Sequence, residues 1–417
     1  METIQLSFEN LAEIKKKIYA FVSSRNVFQI FDSNNIDAAL DISRYELLAG
    51  FSSGSIDFED VKVYSELQLS GRWTFASINY PQHPGQIQAN VIVPEMLFII
   101  RKKSSVLELV ANGIEMRRFS ELCIAFDSFK SEEPNEPVDN VKFNPCTDKS
   151  KYIQTVEKIK QDIKAGSYYE MNYCIEFKAK FQQIANYHLA LRLCNRSPSP
   201  FSVYMKSGNK TILCSSPERF ICKQGDELIS QPIKGTNKRL ADKANFAQMQ
   251  ALKSDEKERA ENVMIVDLVR NDLARICKTG SIKVKELFGT YPFRAVNHLI
   301  STISGTLKND VKVSEIFESA FPMGSMTGAP KIEVMKHILK YEDTPRGLYS
   351  GTIGYIEPEG DFDFNVVIRT LVFDETADKI SYHVGSAITF DSDAEKEYEE
   401  CLLKGSKLAQ LFNEEIN

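Results

Sequence analysis

The sequence predicts a fold of mixed α and β structure. Three observations carry that prediction: short runs of β-branched and aromatic residues, longer stretches with apolar residues at helical spacing, and turn residues between them. The first part of the chain mixes strands at Lys62 to Leu69 and Ile87 to Val93 with helical patterns. Between Phe129 and Lys151 the chain turns polar and proline-bearing, the composition of a surface connection, which sets a boundary near residue 147. Two regions are expected, 1–146 and 147–417. Beyond the boundary, Tyr152, Val156, Ile159 and Ile163 fall at helical spacing, with Thr147 or Asp148 placed as a cap and Gly166 as a stop. Strands are then expected at Cys174 to Phe181, Phe201 to Met205, Ile212 to Ser215, Arg219 to Lys223, Gly351 to Ile356, Asn365 to Phe373 and Ile380 to Val384. Longer helical patterns alternate with them, one starting near Lys257 and one closing the chain.

At 417 residues the chain is long enough to bury a deep site. A formal net charge of −6 and the lack of any long basic cluster exclude a protein devoted to phosphate backbones. Eight cysteines lie scattered without a CxxC pair, which reads as reduced thiols in a cytoplasmic protein. The N-terminus has no basic segment followed by an apolar one. The greasiest run, Val91 to Ile100, is short and interrupted by Pro94 and Glu95, so no membrane segment is expected.

Two helices place acids on the same face as their apolar stripe. Glu258 and Glu261 share a face with Ile265 and Val269, and Glu397, Glu400 and Lys404 share one with Leu408 and Leu411. Buried unpaired charge is costly, so such stripes point to ion pairs or a bound cation; the spacing alone fits two solvated faces as well. The turn Gly324 to Lys331 could bring several N–H groups to an anion, and a tight structural turn explains its glycines equally well. Arg369, alone among Val366, Val367, Ile368 and Leu371, suits a carboxylate, or a buried structural ion pair. In Gln231-Pro232-Ile233-Lys234-Gly235-Thr236 a lysine follows a strand on a stiff turn. Desolvated, its amine would be partly neutral and nucleophilic; by itself a loop lysine is nearly always a solvated charge.

Taken together, these segments resemble the chorismate-binding family, which includes anthranilate synthase component I, aminodeoxychorismate synthase component I, isochorismate synthases and salicylate synthases. The likeness runs from about Tyr152 to Phe412. It rests on Ser216-Pro217-Glu218-Arg219-Phe220, the Pro-Ile-Lys-Gly-Thr turn, Lys257-Glu258-Arg259-Ala260-Glu261-Asn262, Ile265-Val266-Asp267-Leu268 with Arg270-Asn271-Asp272-Leu273, Gly324 to Lys331, Ile368-Arg369-Thr370, and Glu397-Tyr398 followed by Glu400. The resemblance implies an α+β fold like that of anthranilate synthase component I, with two packed sheets, outer helices and a central active-site cleft. It makes 1–146 the N-terminal α+β region and 147–417 the chorismate-binding catalytic region.

Lysine at position 234 is similar to the aminodeoxychorismate synthases, where anthranilate and isochorismate synthases look like Pro-Ile-Ala-Gly. The resemblance therefore implies amination of chorismate to 4-amino-4-deoxychorismate on the route to p-aminobenzoate and folate. By matching motifs it implies Lys234 as nucleophile, Glu218 as general acid/base and His298 near the ring. It implies substrate contacts from Arg369, Lys404, Tyr349, Thr327, Gly328 and Gly385. Mg²⁺ would be held by Glu261 and Glu400, with Glu258 and Glu397 as further partners. The chain departs from the pattern at Val384-Gly385-Ser386-Ala387-Ile388, where relatives have more glycine, and at Glu170, where relatives more often show glutamine. No Leu-Leu-Glu-Ser signature of tryptophan-inhibited anthranilate synthases occurs near the N-terminus.

Releasing ammonia from glutamine needs an activated cysteine beside a histidine and an acid. None of the eight cysteines sits in Gly-x-Cys-x-Gly, and none of the five histidines is in His-x-Glu. A separate glutamine amidotransferase (glutaminase) subunit, or free ammonium, is therefore expected to supply the nitrogen. The alternatives are anthranilate synthase component I, an isochorismate or salicylate synthase, and a non-catalytic binding subunit; retained acids on both helices speak against the last.

Overall fold

The computed structural model describes residues 1–36, 44–58, 71–83, 86–131, 141–181 and 186–412. The strand expected at Lys62 to Leu69 lies outside the described residues, as does part of the polar connection. Among the described residues the strands form two antiparallel sheets, of twelve and ten strands. The twelve-stranded sheet runs in space as Thr3–Ser7, Val106–Ala111, Met96–Arg101, Tyr45–Ser52, Val27–Asp32, Phe201–Ser207, Lys210–Ser216, Thr370–Asp374, Lys379–Ile388, Glu170–Lys180 and Gly328–Ala329. The short Asn144–Pro145 also pairs with Glu170–Lys180. The ten-stranded sheet runs as Ile233–Lys238, Val296–Thr306, Glu227–Gln231, Arg219–Gln224, Phe362–Asn365, Thr352–Ile356, Thr74–Ile78, Ala89–Ile92 and Ile56–Phe58, with Lys283–Pro292 also on Val296–Thr306. The regions 1–146 and 147–417 share both sheets.

Alternation along the strands explains the layering. Leu47, Ala49 and Phe51 face a core shared with outer helices, whereas Tyr45 and Leu48 face Phe75, Ile92 and Tyr355 of the other sheet. Farther along, Val203, Met205, Ile212 and Cys214 meet Ile353 across the same gap, while Tyr204 points outward among the helices. The two sheets thus pack face to face. Helix Leu11–Ser23 covers the outside of one, and helices Glu256–Ile276 and Val313–Ala320 cover the outside of the other, burying Ile265, Val269 and Phe317 against Ile303 and Phe364. The α+β class, the two sheets and the outer helices stand as the sequence resemblance implied.

Local signals set the helices near the site. Lys149–Lys164 starts where expected, its Asp148 cap accepting from Lys151 N at 2.8 Å, and gives way to Gly166 at φ +82. Glu256–Ile276 is capped by Asp255 and tied to its strand by Ser301, which donates to buried Asn262 at 2.6 Å. The strand expected from Asn365 to Phe373 is instead two strands, Phe362–Asn365 and Thr370–Asp374. Arg369 lies in the break between them at φ +51. An uninterrupted apolar run hid a backbone reversal that carries the chain from one sheet to the other.

Candidate active site

The chemistry gathers where the two sheets meet. Lys234 stands on the Ile233–Lys238 strand, and its Nζ crosses to the other sheet and donates to Glu170 Oε1 at 2.8 Å. Gly235 makes the turn passable. Its φ is +102, and a Cβ there would sit 3.0 Å from both Glu258 Oε2 and Leu299 Cβ. The Lys234 side chain is 10% exposed. Burial by itself lowers the pKa of such an amine, as the sequence suggested. Glu170, Glu261 and Glu218 outweigh that effect, so Lys234 is held as an ammonium above its ordinary range. The conditional reading, a desolvated and partly neutral amine, takes in only the burial; the three carboxylates around Lys234 act the other way and keep its proton on.

Glu218 follows Pro217 at the end of Lys210–Ser216 and is 3% exposed. Its Oε1 accepts from Ser325 Oγ at 2.8 Å and, more weakly, from Ile233 N at 3.4 Å. Burial pushes its carboxyl up to about 7, against the opposing pull of Ser325, Ile233, Lys234 and Arg369. A carboxyl titrating there can give a proton near neutral pH.

Arg369 Nη2 lies 2.9 Å from His298 Nε2, and Thr236 Oγ1 lies 2.8 Å from His298 Nδ1. A guanidinium only donates, so Nε2 is the acceptor and Nδ1 carries the hydrogen and donates to Thr236. Burial, then Arg369 and Lys407, keep this imidazole neutral by lowering its pKa well below the usual range. Burial also brings Arg369 down to about 10. Arg219 offers the contrast: it grips Asp363 with two hydrogen bonds of 2.9 Å. Among the described residues no carboxylate lies within 4.0 Å of Arg369, so a half-buried guanidinium is left to a neutral ring. That arrangement favours an incoming anion.

The acids of the two helices surround Lys257. Its Nζ is 3.8 Å from Glu261, and its pKa is raised, against partial burial, by Glu261, Glu397, Glu258 and Glu400. Glu261 is pushed up to about 7, by burial first. Glu397 is buried and accepts from Ser386, while Glu400 pairs with Lys404 at 2.6 Å. Among the described residues no three His, Cys, Asp or Glu groups lie close enough together to hold a metal ion. The donors are nevertheless hard carboxylate oxygens from two helices, and their shared electrostatic focus is one exposed lysine. Such oxygens are the donors that a divalent cation of the Mg²⁺ kind takes, and here Lys257 and Lys404 occupy the space beside them.

Residues 16–410 match the family described as chorismate binding enzyme. The chain belongs to that family. Aminodeoxychorismate synthase component 1 of Escherichia coli is 32% identical over 334 residues, which is 78% of this chain and 72% of that protein. Anthranilate synthase component 1 of Bacillus subtilis is 38% identical across 73% of this chain and 58% of its own length. The chloroplastic aminodeoxychorismate synthase of Arabidopsis thaliana is 40% identical over 63% of this chain, a match that spans only 29% of that protein. Among solved structures, the menaquinone-specific isochorismate synthase of Escherichia coli superposes with a TM-score of 0.81 at 18% identity, covering 99% of this chain and 94% of that one.

Within this member of the chorismate-binding enzyme family, Lys234, Glu218, His298 and Arg369 are linked through shared contacts and charges, and Glu258 and Glu261 approach them from their helix. Gly328 and Thr327 play a different part in the fold. A Cβ on Gly328 (φ +142) would lie 2.0 Å from Glu170 O, and Thr327 Oγ1 donates to Met323 O at 3.1 Å, inside the turn. Gly385 sits against Cys174 and accepts from Lys404 Nζ at 2.9 Å. Tyr349 is buried, stacked on His383 with ring centroids 5.2 Å apart. Sequence reasoning passed over Ser325, Thr236 and Lys407 as site residues and met Glu170 only as a departure from the relatives' glutamine. The first two lie inside motifs it singled out, and Lys407 is one turn beyond Lys404.

Proposed function

We propose that this chain aminates chorismate at C4, forming 4-amino-4-deoxychorismate, with nitrogen from a glutaminase subunit or free ammonium. One observation carries the reading: the Lys234 amine is buried within the site, charged, and flanked by Glu218, a carboxyl poised to donate a proton. Arg369 would bind a substrate carboxylate, and neutral His298 would orient it. Lys234, once freed of its proton, would attack C2 while Glu218 protonates the departing C4 hydroxyl. Glu261 and Glu400, with Glu258 and Glu397 beside them, would hold Mg²⁺. Such an ion supplies Lewis-acid polarisation of a bound carboxylate.

The nitrogen source follows from the thiols. Burial pushes all eight cysteines up, the reverse of the activated thiolate that amide hydrolysis requires. A cytoplasmic location is part of the same proposal; among the described residues no helix is long and apolar enough to cross a membrane.

The 38% identity to the Bacillus anthranilate synthase component supports a second reading, anthranilate formation. Supplying chorismate, Mg²⁺ and ammonium to the purified chain separates the two. The aminated, non-fluorescent product, convertible by a lyase, is expected. Fluorescent anthranilate, or an unchanged product and rate from Lys234→Ala, would overturn the proposal.

A further inference from the structure

Glu170 is 1% exposed and uses only half of its carboxylate: Oε1 accepts from Lys234 Nζ at 2.8 Å, whereas Oε2 is buried without a hydrogen-bond partner among the described residues. Its place is fixed from behind. Glu170 pairs with Ala329 across the strand ladder, Tyr169 N donates to Ala329 O at 2.8 Å, and Gly328 packs so closely on the Glu170 carbonyl that no side chain fits there. A buried carboxylate oxygen left without a donor is costly, so one beside a reactive amine is a ready-made receptor. The group that fits must be small, must donate hydrogen bonds, and must gain from the charge of Glu170.

We propose that Glu170 Oε2 is the docking point of the amine donor, ammonia or ammonium, and that the same carboxylate carries the proton of Lys234 during the reaction. This rests on the reading of Lys234 as the nucleophile. The steps balance. Lys234 passes one proton to Oε1, and the freed amine bonds to C2 as the ring double bonds shift and the C4–O bond breaks. The hydroxyl leaves as water with the proton of Glu218. Ammonia held on Oε2 then bonds to C4 as the C2–N bond breaks, the electron pair of that bond returning to the lysine nitrogen. The new C4 ammonium returns a proton to Glu218, Lys234 recovers its own from Glu170, and both carboxyl groups end as they began. One carboxylate thus sets the incoming nitrogen beside the departing one.

The test titrates ammonium chloride against the full chain at saturating chorismate, for the parent, Glu170→Gln and Glu170→Asp, with melting curves for each. Glu170→Gln is expected to raise the ammonium KM by roughly tenfold or more, the scale of one hydrogen bond to a charged group. The chorismate KM should stay within about twofold, since the lost contact touches only the amine donor. Glu170→Asp, which keeps a carboxylate able to take the Lys234 proton, should recover part of the ammonium affinity. An ammonium KM unchanged in folded Glu170→Gln would overturn the proposal, leaving Oε2 to solvent. If the Gln variant does not fold, Glu170→Ala takes its place, and an ammonium KM unchanged there decides against the proposal. Aminated product formed at the parent rate by Lys234→Ala would instead sink the lysine reading on its own, whatever Glu170→Gln does.

Discussion

Replacing Glu218 by glutamine separates what the site does from what it costs. The carboxyl is 3% exposed and titrates at about 7, against 4.5 in an unfolded chain. Below pH 4.5 both states hold the proton and the group contributes nothing to the pH dependence. Between 4.5 and about 7 the unfolded chain releases its proton while the folded one keeps it, so folding loses stability as pH rises. Above 7 the loss is complete, at about 3 kcal/mol for a shift of this size. Glutamine cannot ionise, and its carbonyl can still accept from Ser325. Glu218→Gln should therefore match the parent in melting temperature near pH 4.5 and exceed it by a margin that grows up to pH 8. Its amination rate should fall by about 10²- to 10⁴-fold, the range for loss of a general acid. Thermal melts at several pH values and the ammonium-dependent assay read the two effects. A melting difference that stays constant from pH 4.5 to 8 would refute the argument, because it would mean that Glu218 is not held protonated by its surroundings.

Three further outcomes follow from the geometry. Arg369→Ala should raise the chorismate KM by about tenfold to a hundredfold, the worth of a charged hydrogen-bonded contact, with little loss of thermal stability because among the described residues Arg369 makes no ion pair within 4.0 Å; steady-state kinetics and melts check both. Gly235→Ala should lose about 1–3 kcal/mol of stability from its positive φ, on top of crowding against Glu258 and Leu299, as denaturant titration would register. Lys257→Ala removes the ammonium competing for the four glutamates, so the Mg²⁺ concentration for half-maximal activity should drop; an unchanged or higher value would count against the metal assignment.

Much of this was readable from residues. Periodicity and capping fixed the Lys149–Lys164 helix to within its ends, and most of the expected strands appear, because alternation and turn residues act locally. The motif residues Lys234, Glu218, His298 and Arg369 do come together. What the sequence hid was everything set by distant pairing. Arg369 looked like mid-strand because nothing in Val-Val-Ile-Arg-Thr-Leu-Val marks a left-handed residue. The partner of Lys234 was not readable, because Glu170 lies sixty-four positions away on the opposite sheet. The glycine-rich turn left an anion site and a tight structural turn equally open in the sequence, and the close packing of Gly328 on the Glu170 strand was not legible there.

The weaving of both sheets from early and late strands reaches beyond the active site. Val27–Asp32 lies beside Phe201–Ser207, and Thr74–Ile78 beside Thr352–Ile356. Cutting the polypeptide near residue 147 would leave each piece with raw, hydrogen-bond-hungry borders whose natural complement is the other piece. Neither half is built to stand alone, and two halves made together would have reason to find each other.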